Sequence, residues 1–381
     1  MWGYREVRPP LLEHLDLVAL GVGEEMVDEI FKLQDSDGKL LALRAEATTP
    51  VARLYADNLR EMGCPARIFY IVSCLRFSPS RDIGVREFRQ AGAELIGDPS
   101  PAADAEVVAL TIASLEEAGI KGVRVDIGSV GILRKMASSI GLNRADFIKL
   151  RKAVVRRNVE EVVEIVDKYG CSPSVKEQIL NMLFARGSIE HVGKLVSAMG
   201  FEDEVERFRQ VLQLLEGYGF ENRVFFDLSV VREFEYYTGM VFEVYVPEVG
   251  VTIGAGGRYD ALLEKLGVEK PSATGFALYV DLCVEALKRQ GIELSKKPMK
   301  EAYVGVYQFK GVKQAITLAE KLRELGVSTT LELSVKSLEE LAEASEKARF
   351  VYAVGEDILT LHEGRWRSVS LDEALELPLR R

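Results

Sequence analysis

Cysteine and histidine are scarce in this chain: its 381 residues include four cysteines and three histidines. Cys64, Cys74, Cys171 and Cys283 lie far apart with no C-x-x-C pair, which argues against both a disulfide framework and a zinc site. His14, His191 and His362 are scattered and have no ligand partners nearby, so histidine-based catalysis and metal chemistry are not expected. No apolar run reaches the roughly 18 residues that a membrane helix needs. The start, Met1-Trp2-Gly3-Tyr4-Arg5-Glu6, lacks the apolar core of a signal peptide, and a cytoplasmic location is expected. A basic excess is missing too. Lys and Arg number 49 against 59 Asp and Glu, for a net charge of −10, so the total gives no hint of a nucleic-acid face, although a local patch stays open.

What is present is an ordinary globular balance, 48% apolar and 28% charged, with length for two or three domains. The first third alternates strand-like and helix-like pieces. Leu40–Leu43 is a short apolar run, and Thr48–Asn58 has helical spacing at Val51, Ala52, Leu54 and Tyr55. Residues 67–72 (Arg-Ile-Phe-Tyr-Ile-Val) read as a strand. A second strand is expected over 86–97, with Phe88, Gln90, Gly92 and Glu94 on one parity, antiparallel to the first across the polar stretch 78–84. A helix over 101–119 opens at Pro101 and closes at Gly119. Residues 141–219 read as a purely helical insertion, and β signals return at 223–228 and 240–246. A polar linker over 290–300 precedes a small α/β domain, 301–381, with a largely parallel sheet. The expected frame is therefore α+β, with residues 1–140 and 220–289 forming the main domain around the insertion.

Four islands carry polar residues where simple packing does not ask for them. In Leu43-Arg44-Ala45-Glu46-Ala47-Thr48-Thr49-Pro50, a charged pair and two hydroxyls stand at a strand-to-helix junction, where Thr48 or Thr49 could simply cap the helix. In the second, Arg76, Gln90 and Glu94 share a sheet face if the two strands pair, which suggests a pocket for a small zwitterion or a solvated polar face. The third runs from Val231 to Glu243, with Tyr236-Tyr237 ahead of a Thr238-Gly239 bend; these tyrosines could equally be core. The fourth, Gly254-Ala255-Gly256-Gly257-Arg258-Tyr259-Asp260, matches neither G-x-G-x-x-G nor a P-loop. Its glycines suit close approach of a strand to a ligand or to another backbone. Lys149, Arg151, Lys152, Arg156 and Arg157 form a basic cluster that reads as a solvated face, with a local nucleic-acid contact as the alternative. Cys74 and Cys283 lie in apolar settings and read as buried thiols.

The order of these islands resembles the histidyl-tRNA synthetase superfamily. Residues 3–10 are similar to the end of class II motif 1, 232–243 to the family's histidine-binding signature, and 256–260 to the segment after it. The resemblance implies a class II aminoacyl-tRNA synthetase-like antiparallel sheet with helices, and an anticodon-binding-like domain at 301–381. It also implies a histidine site. Glu46 and Thr48 match residues holding the amino group, Gln90 another amino-acid contact, Glu94 and Tyr237 the imidazole contacts, and Arg232 the arginine at the carboxylate. Arg76, Tyr236 and Tyr259 complete the expected set. The chemistry is consistent: a carboxylate suits an ammonium, a guanidinium suits a carboxylate, and an acid with a phenol can read both imidazole nitrogens.

The ATP half departs from the family pattern. Arg76-Phe77-Ser78 keeps the motif 2 arginine but lacks its glutamate, Gly84 stands where a loop arginine is usual although Arg86 persists, and Leu282 occupies the place of the motif 3 arginine. Leucine cannot supply a planar charged donor. The resemblance thus implies a paralogue that binds histidine without activating it. That paralogue is the regulatory subunit of ATP phosphoribosyltransferase, which joins a short-form catalytic subunit and transmits histidine feedback, as a homodimer within a hetero-oligomer. The expected ligand is L-histidine, with no catalytic residue, cofactor or metal. Two other readings stay open: a histidyl-tRNA synthetase using Mg-ATP, and a non-catalytic tRNA-binding module. The retained C-terminal domain speaks for tRNA, yet its 11 Lys and Arg against 14 Asp and Glu are weak credentials for gripping RNA. The chain also begins inside motif 1, without the family's preceding strand and long helix, so either the start is truncated or dimerisation differs.

Overall fold

The structure is a computed structural model, described here for residues 2–77, 86–232, 234–269, 271–292, 300–343 and 348–379. The chain divides into two compact units, Met1–Glu293 and Leu294–Arg381. In the first, the strands are β1 (Arg5–Glu6), β2 (Leu12–His14), β3 (Lys32–Gln34), β4 (Leu40–Leu43), β5 (Ala66–Leu75), β6 (Glu87–Ile96), β7 (Arg124–Ser129), β8 (Arg186–Gly187), β9 (Val224–Asp227), β10 (Met240–Tyr245), β11 (Thr252–Arg258) and β12 (Ala273–Tyr279). Nine of them form one sheet in the order β1-β5-β6-β12-β11-β10-β7-β9-β8, and β2-β4-β3 form a small second sheet. From β5 through β7 every pairing is antiparallel. The parallel pairs are β1 with β5 and β7 with β9.

The helices of this unit are α1 (Leu15–Val22), α2 (Thr48–Leu54), α3 (Pro101–Glu117), α4 (Val130–Ser139), α5 (Arg144–Val155), α6 (Val159–Asp167), α7 (Pro173–Met182), α8 (Ile189–Ala198), α9 (Glu202–Gly217), α10 (Asp260–Lys265) and α11 (Val280–Arg289). Their starts follow from local chemistry. Asn143, Asn158 and Ser172 each accept a backbone N–H three residues on, satisfying a donor that the first turn leaves free. Burial of Val162, Ile165 and Val166 on α6, and of Val205, Phe208, Val211 and Leu215 on α9, ties α5–α9 into the same apolar core as the large sheet.

Residues 141–219 are not purely helical. Arg186-Gly187 pairs antiparallel with β9 and forms the outer strand of the large sheet. Two residues are too few for any alternation to register in the sequence. The basic cluster also divides: Lys149, Lys152 and Arg156 are exposed, Arg151 is buried, and Arg157 bonds Asp227 and Ser229. Of the expected linker, 290–292 continue from α11, whereas 293–299 lie outside the described residues.

The second unit holds β13 (Lys300–Val306), α12 (Val312–Glu324), β14 (Thr329–Val335), α13 (Leu338–Glu343), β15 (Ala348–Val354), β16 (Ile358–His362), β17 (Arg365–Val369) and α14 (Leu371–Glu376). Its sheet order is β14-β13-β15-β16-β17. The largely parallel sheet expected from sequence is instead mixed, with β13 parallel to β14 and β15 while β15, β16 and β17 run antiparallel. The turn between β16 and β17 has Glu363 and Gly364 both at positive φ, 46° and 75°, the geometry that two-residue hairpins require.

Candidate functional site

The antiparallel core of the large sheet sets the site. In β6, Gln90 and Glu94 point to one face, opposite Val72 and Ile68 of β5, and Glu94 also faces Gly275 of β12. A Cβ on Gly275 would lie 1.6 Å from Glu94 Oε2, so only glycine leaves room for that carboxylate. On the same face β11 contributes Ala255, which pairs with Ala277 of β12 and Glu243 of β10. The glycines flanking Ala255 serve strand packing: a Cβ on Gly256 would lie 2.3 Å from the Gly275 carbonyl oxygen.

The helix start at α2 differs from simple threonine capping. Ala47 is the cap position, and the carboxylate of Glu46 accepts the N–H groups of Thr48 (2.7 Å) and Thr49 (3.0 Å). Glu46 thus fixes the junction while itself buried. The tyrosine segment follows as a tight aromatic cluster, with the Tyr236 ring centroid 4.6 Å from Tyr237 (tilted), 5.8 Å from Tyr259 (edge-on) and 5.3 Å from Phe234 (stacked).

These pieces surround one small cavity of about 20 Å³, lined by Glu46, Thr48, Gln90, Glu94, Arg232, Tyr236, Tyr237 and Tyr259. Phe234, Ala255, Gly275, Phe276, Ala277 and Tyr279 complete its walls. Sequence reasoning missed this second group because all but Tyr279 lack a polar side-chain atom. The signal available was parity: 255 with 257 on one strand, and 275, 277 and 279 on its neighbour. Arg76 is the exception among the expected residues. The strand ends at Leu75, and the Arg76 guanidinium lies over the rings of Phe88 (5.6 Å) and Phe234 (5.8 Å), one ring away from the cavity. The motif 2 positions Ser78 and Gly84 lie outside the described residues.

The electrostatics are unusual. Glu94 accepts the Tyr70 hydroxyl (3.1 Å) and the Tyr259 hydroxyl (2.7 Å) and, among the described residues, forms no ion pair. Burial pushes its pKa up to about 8; the tyrosine and Thr48 hydroxyls pull back, and the neighbouring Glu46 adds to the rise. Burial also raises Glu46, against its bonds from Thr48 and Thr49. Gln90 Oε1 accepts the Ala47 N–H (3.2 Å) and the Cys74 thiol (3.2 Å), which leaves the amide NH₂ for a ligand. Arg232 is ion-paired with Glu243, whose other oxygen accepts the Tyr245 hydroxyl. Burial works against the charge of Arg232, but Glu243 with Tyr237 and Tyr279 outweighs it and holds the pKa above the usual arginine value. Cys74 is a buried thiol raised to about 12 by desolvation; Cys283 is partly buried and raised likewise. Among the described residues no His, Cys, Asp and Glu cluster fits a metal ion, and no helix is long and apolar enough to cross a membrane.

The family model for histidyl-tRNA synthetase matches residues 1–282. The chain belongs to the histidyl-tRNA synthetase family. Its sheet and helices are accordingly a class II synthetase-like α+β fold. Family members carry two kinds of name. A histidine–tRNA ligase of Pyrobaculum aerophilum is 35% identical over 93% of this chain and 84% of its own length. An ATP phosphoribosyltransferase regulatory subunit of Desulforamulus reducens is 34% identical over 86% of this chain and 81% of its own. Among solved structures, a protein of Bacillus halodurans described as an ATP phosphoribosyltransferase regulatory subunit/histidyl-tRNA synthetase superposes with a TM-score of 0.75. It is 32% identical and covers 91% of this chain and 88% of its own. Against that family background Leu282, in the first turn of α11, is buried in the main apolar core and presents no polar group.

Proposed function

We propose that this chain is a non-catalytic, histidine-binding regulatory subunit that works with a short-form ATP phosphoribosyltransferase catalytic subunit and conveys histidine feedback to it. The carrying observation is a cavity with two buried carboxylates, Glu46 and Glu94, that form no ion pair among the described residues, while Arg232 in the same wall is paired with Glu243. Histidine brings the missing groups. Its ammonium suits Glu46 with Thr48, its imidazole N–H groups suit Glu94 and Tyr237, and its carboxylate suits Arg232 and the Gln90 amide. A cavity of about 20 Å³ holds about one water, so histidine entry widens it, with Arg232 shared between Glu243 and the incoming carboxylate. The burial of Leu282 supports loss of adenylation, because adenine and phosphate contacts there would need a guanidinium. Regulation then follows as linkage: histidine must bind one state of the complex more tightly than the other.

The second reading, a working synthetase taking Mg-ATP and tRNA, is favoured by the family's ligase members and by the C-terminal unit. Histidine-dependent ATP–pyrophosphate exchange on the purified chain separates the two. The regulatory reading expects no exchange above background while histidine raises the melting temperature. Exchange above background overturns it in favour of the synthetase.

A further inference from the structure

A second, larger cavity of about 440 Å³ lies on the same sheet face, beyond Glu243, between β7, β10 and the ends of α5 and β9. Its charged lining is Arg124, Arg157, Arg186, Asp126, Asp227 and Glu243. By charge alone the set is balanced, but its layout is not. The side chains of Asp126 and Asp227 are only 7% and 3% exposed, whereas Arg124, Arg157 and Arg186 are 35%, 39% and 46% exposed.

Every carboxylate oxygen in the group is already occupied. Asp126 takes Arg124 Nε (2.7 Å) and Arg186 Nη2 (3.3 Å). Asp227 takes Arg157 Nη2 (2.6 Å) on one oxygen and the Ser229 N–H and hydroxyl on the other. Glu243 takes Arg232 and Tyr245. The capacity left over is N–H on three guanidiniums, which are donors only. Arg157 is one of two described non-glycine residues at positive φ, 51°, and its bonds to Asp227 and Ser229 hold it there.

We propose that this cavity is an oxyanion site for a small phosphorylated molecule, distinct from the amino-acid cavity and sharing no lining residue with it, the two being linked only by the Glu243–Arg232 ion pair. Three guanidiniums arriving from β7, from the residues after α5 and from β8 surround their target; that suits a tetrahedral phosphate or a diphosphate better than a planar carboxylate, which one arginine can saturate. The volume exceeds that of an inorganic ion and lies in the range of small-ligand pockets, leaving room for an attached organic group. With a net charge of −10 the chain repels anions in general, so uptake here has to be local.

The test is calorimetric titration of the full chain with inorganic pyrophosphate at physiological salt. Saturable binding is expected, weakened at least about tenfold in Arg186→Gln and in Arg124→Lys, with the histidine-induced rise in melting temperature retained in both. That retained rise certifies the fold and keeps this result separate from the fate of the histidine reading; circular dichroism serves where histidine does not bind. Absence of binding up to about 5 mM pyrophosphate, or binding that both variants leave untouched, overturns the proposal.

Discussion

Two buried acids within the first unit are treated in opposite ways. Asp104 of α3 is fully buried and accepts Arg258 of β11 (Nη2, 2.9 Å) on one oxygen and Arg207 of α9 on the other. Glu94, as deeply buried, has two tyrosine hydroxyls and, among the described residues, no ion pair. Both cost desolvation energy, but only the first recovers it within the chain. A buried acid with its own arginines fastens elements together; here it joins helix, strand and insertion. A buried acid without one holds an unmet demand that a cationic ligand can fill. The difference separates framework from site without reference to any relative.

The sharpest way to break the comparison is to empty the framework side. Asp104→Ala leaves Arg258 and Arg207 without their carboxylate and is expected to cost about 3–5 kcal/mol of stability. Denaturant unfolding reads this directly, and a loss below about 1 kcal/mol would show that Asp104 is not the fastening assigned to it.

Glu94 carries the next effect, through pH. Its folded pKa of about 8 lies above the ordinary carboxylate value, so the folded chain holds a proton that the unfolded chain has released over that interval. Its contribution is therefore complete below about pH 4.5 and is lost as pH rises to about 8, a change on the order of a few kcal/mol. Ligand-free protein should lose stability over this window. Glu94→Gln, which cannot ionise, should flatten the slope and leave the variant more stable than the parent at pH 8.5. Equal slopes in the two proteins would contradict the uncompensated-acid argument.

Glu46→Gln follows. It removes the charge offered to an ammonium yet keeps one acceptor for the α2 amides, so histidine affinity should fall about 10- to 100-fold while stability moves by about 1 kcal/mol. Titration calorimetry and a melting curve on the same preparation give both numbers. A large stability loss with unchanged affinity would make Glu46 a helix cap and nothing more.

Much of this site was legible because strand parity is a strict rule. Once 86–97 reads as a strand, Gln90 and Glu94 must share a face, and the structure places both on one cavity wall. Arg76 keeps that parity, since its N–H bonds the Arg86 carbonyl and its guanidinium lies over Phe88, but parity cannot say that the strand stops at Leu75 or that the side chain will settle between Phe88 and Phe234 outside the cavity lining. The cap role of Glu46 has no mark in the sequence beside Thr48 and Thr49, whose hydroxyls are the usual caps; a carboxylate two residues before the first helical amides reaches them as well. Gly275 was silent for a different reason: its function is to be empty, and only the position of Glu94 across the strand pair reveals the need. The β16–β17 hairpin is absent from the largely parallel sheet expected from sequence: Glu363-Gly364 is a weaker turn signal than Asn-Gly or Asp-Gly, and only the positive φ of both residues shows the turn.

The smallest effect tests how the aromatic loop is held. Arg134 of α4 donates to the Glu235 carbonyl (2.8 Å), and Arg144 of α5 pairs with the Glu235 carboxylate (3.0 Å), immediately before Tyr236 and Tyr237. The Arg144 side chain is 63% exposed, so water screens the pair and Arg144→Gln should cost less than about 1 kcal/mol. A twofold or smaller change in histidine affinity is expected, because the tyrosine cluster and the Arg134 contact hold the loop without it. A drop as large as that of Glu46→Gln would mean that the insertion sets the geometry of the cavity, and the line between framework and site would then run through Glu235.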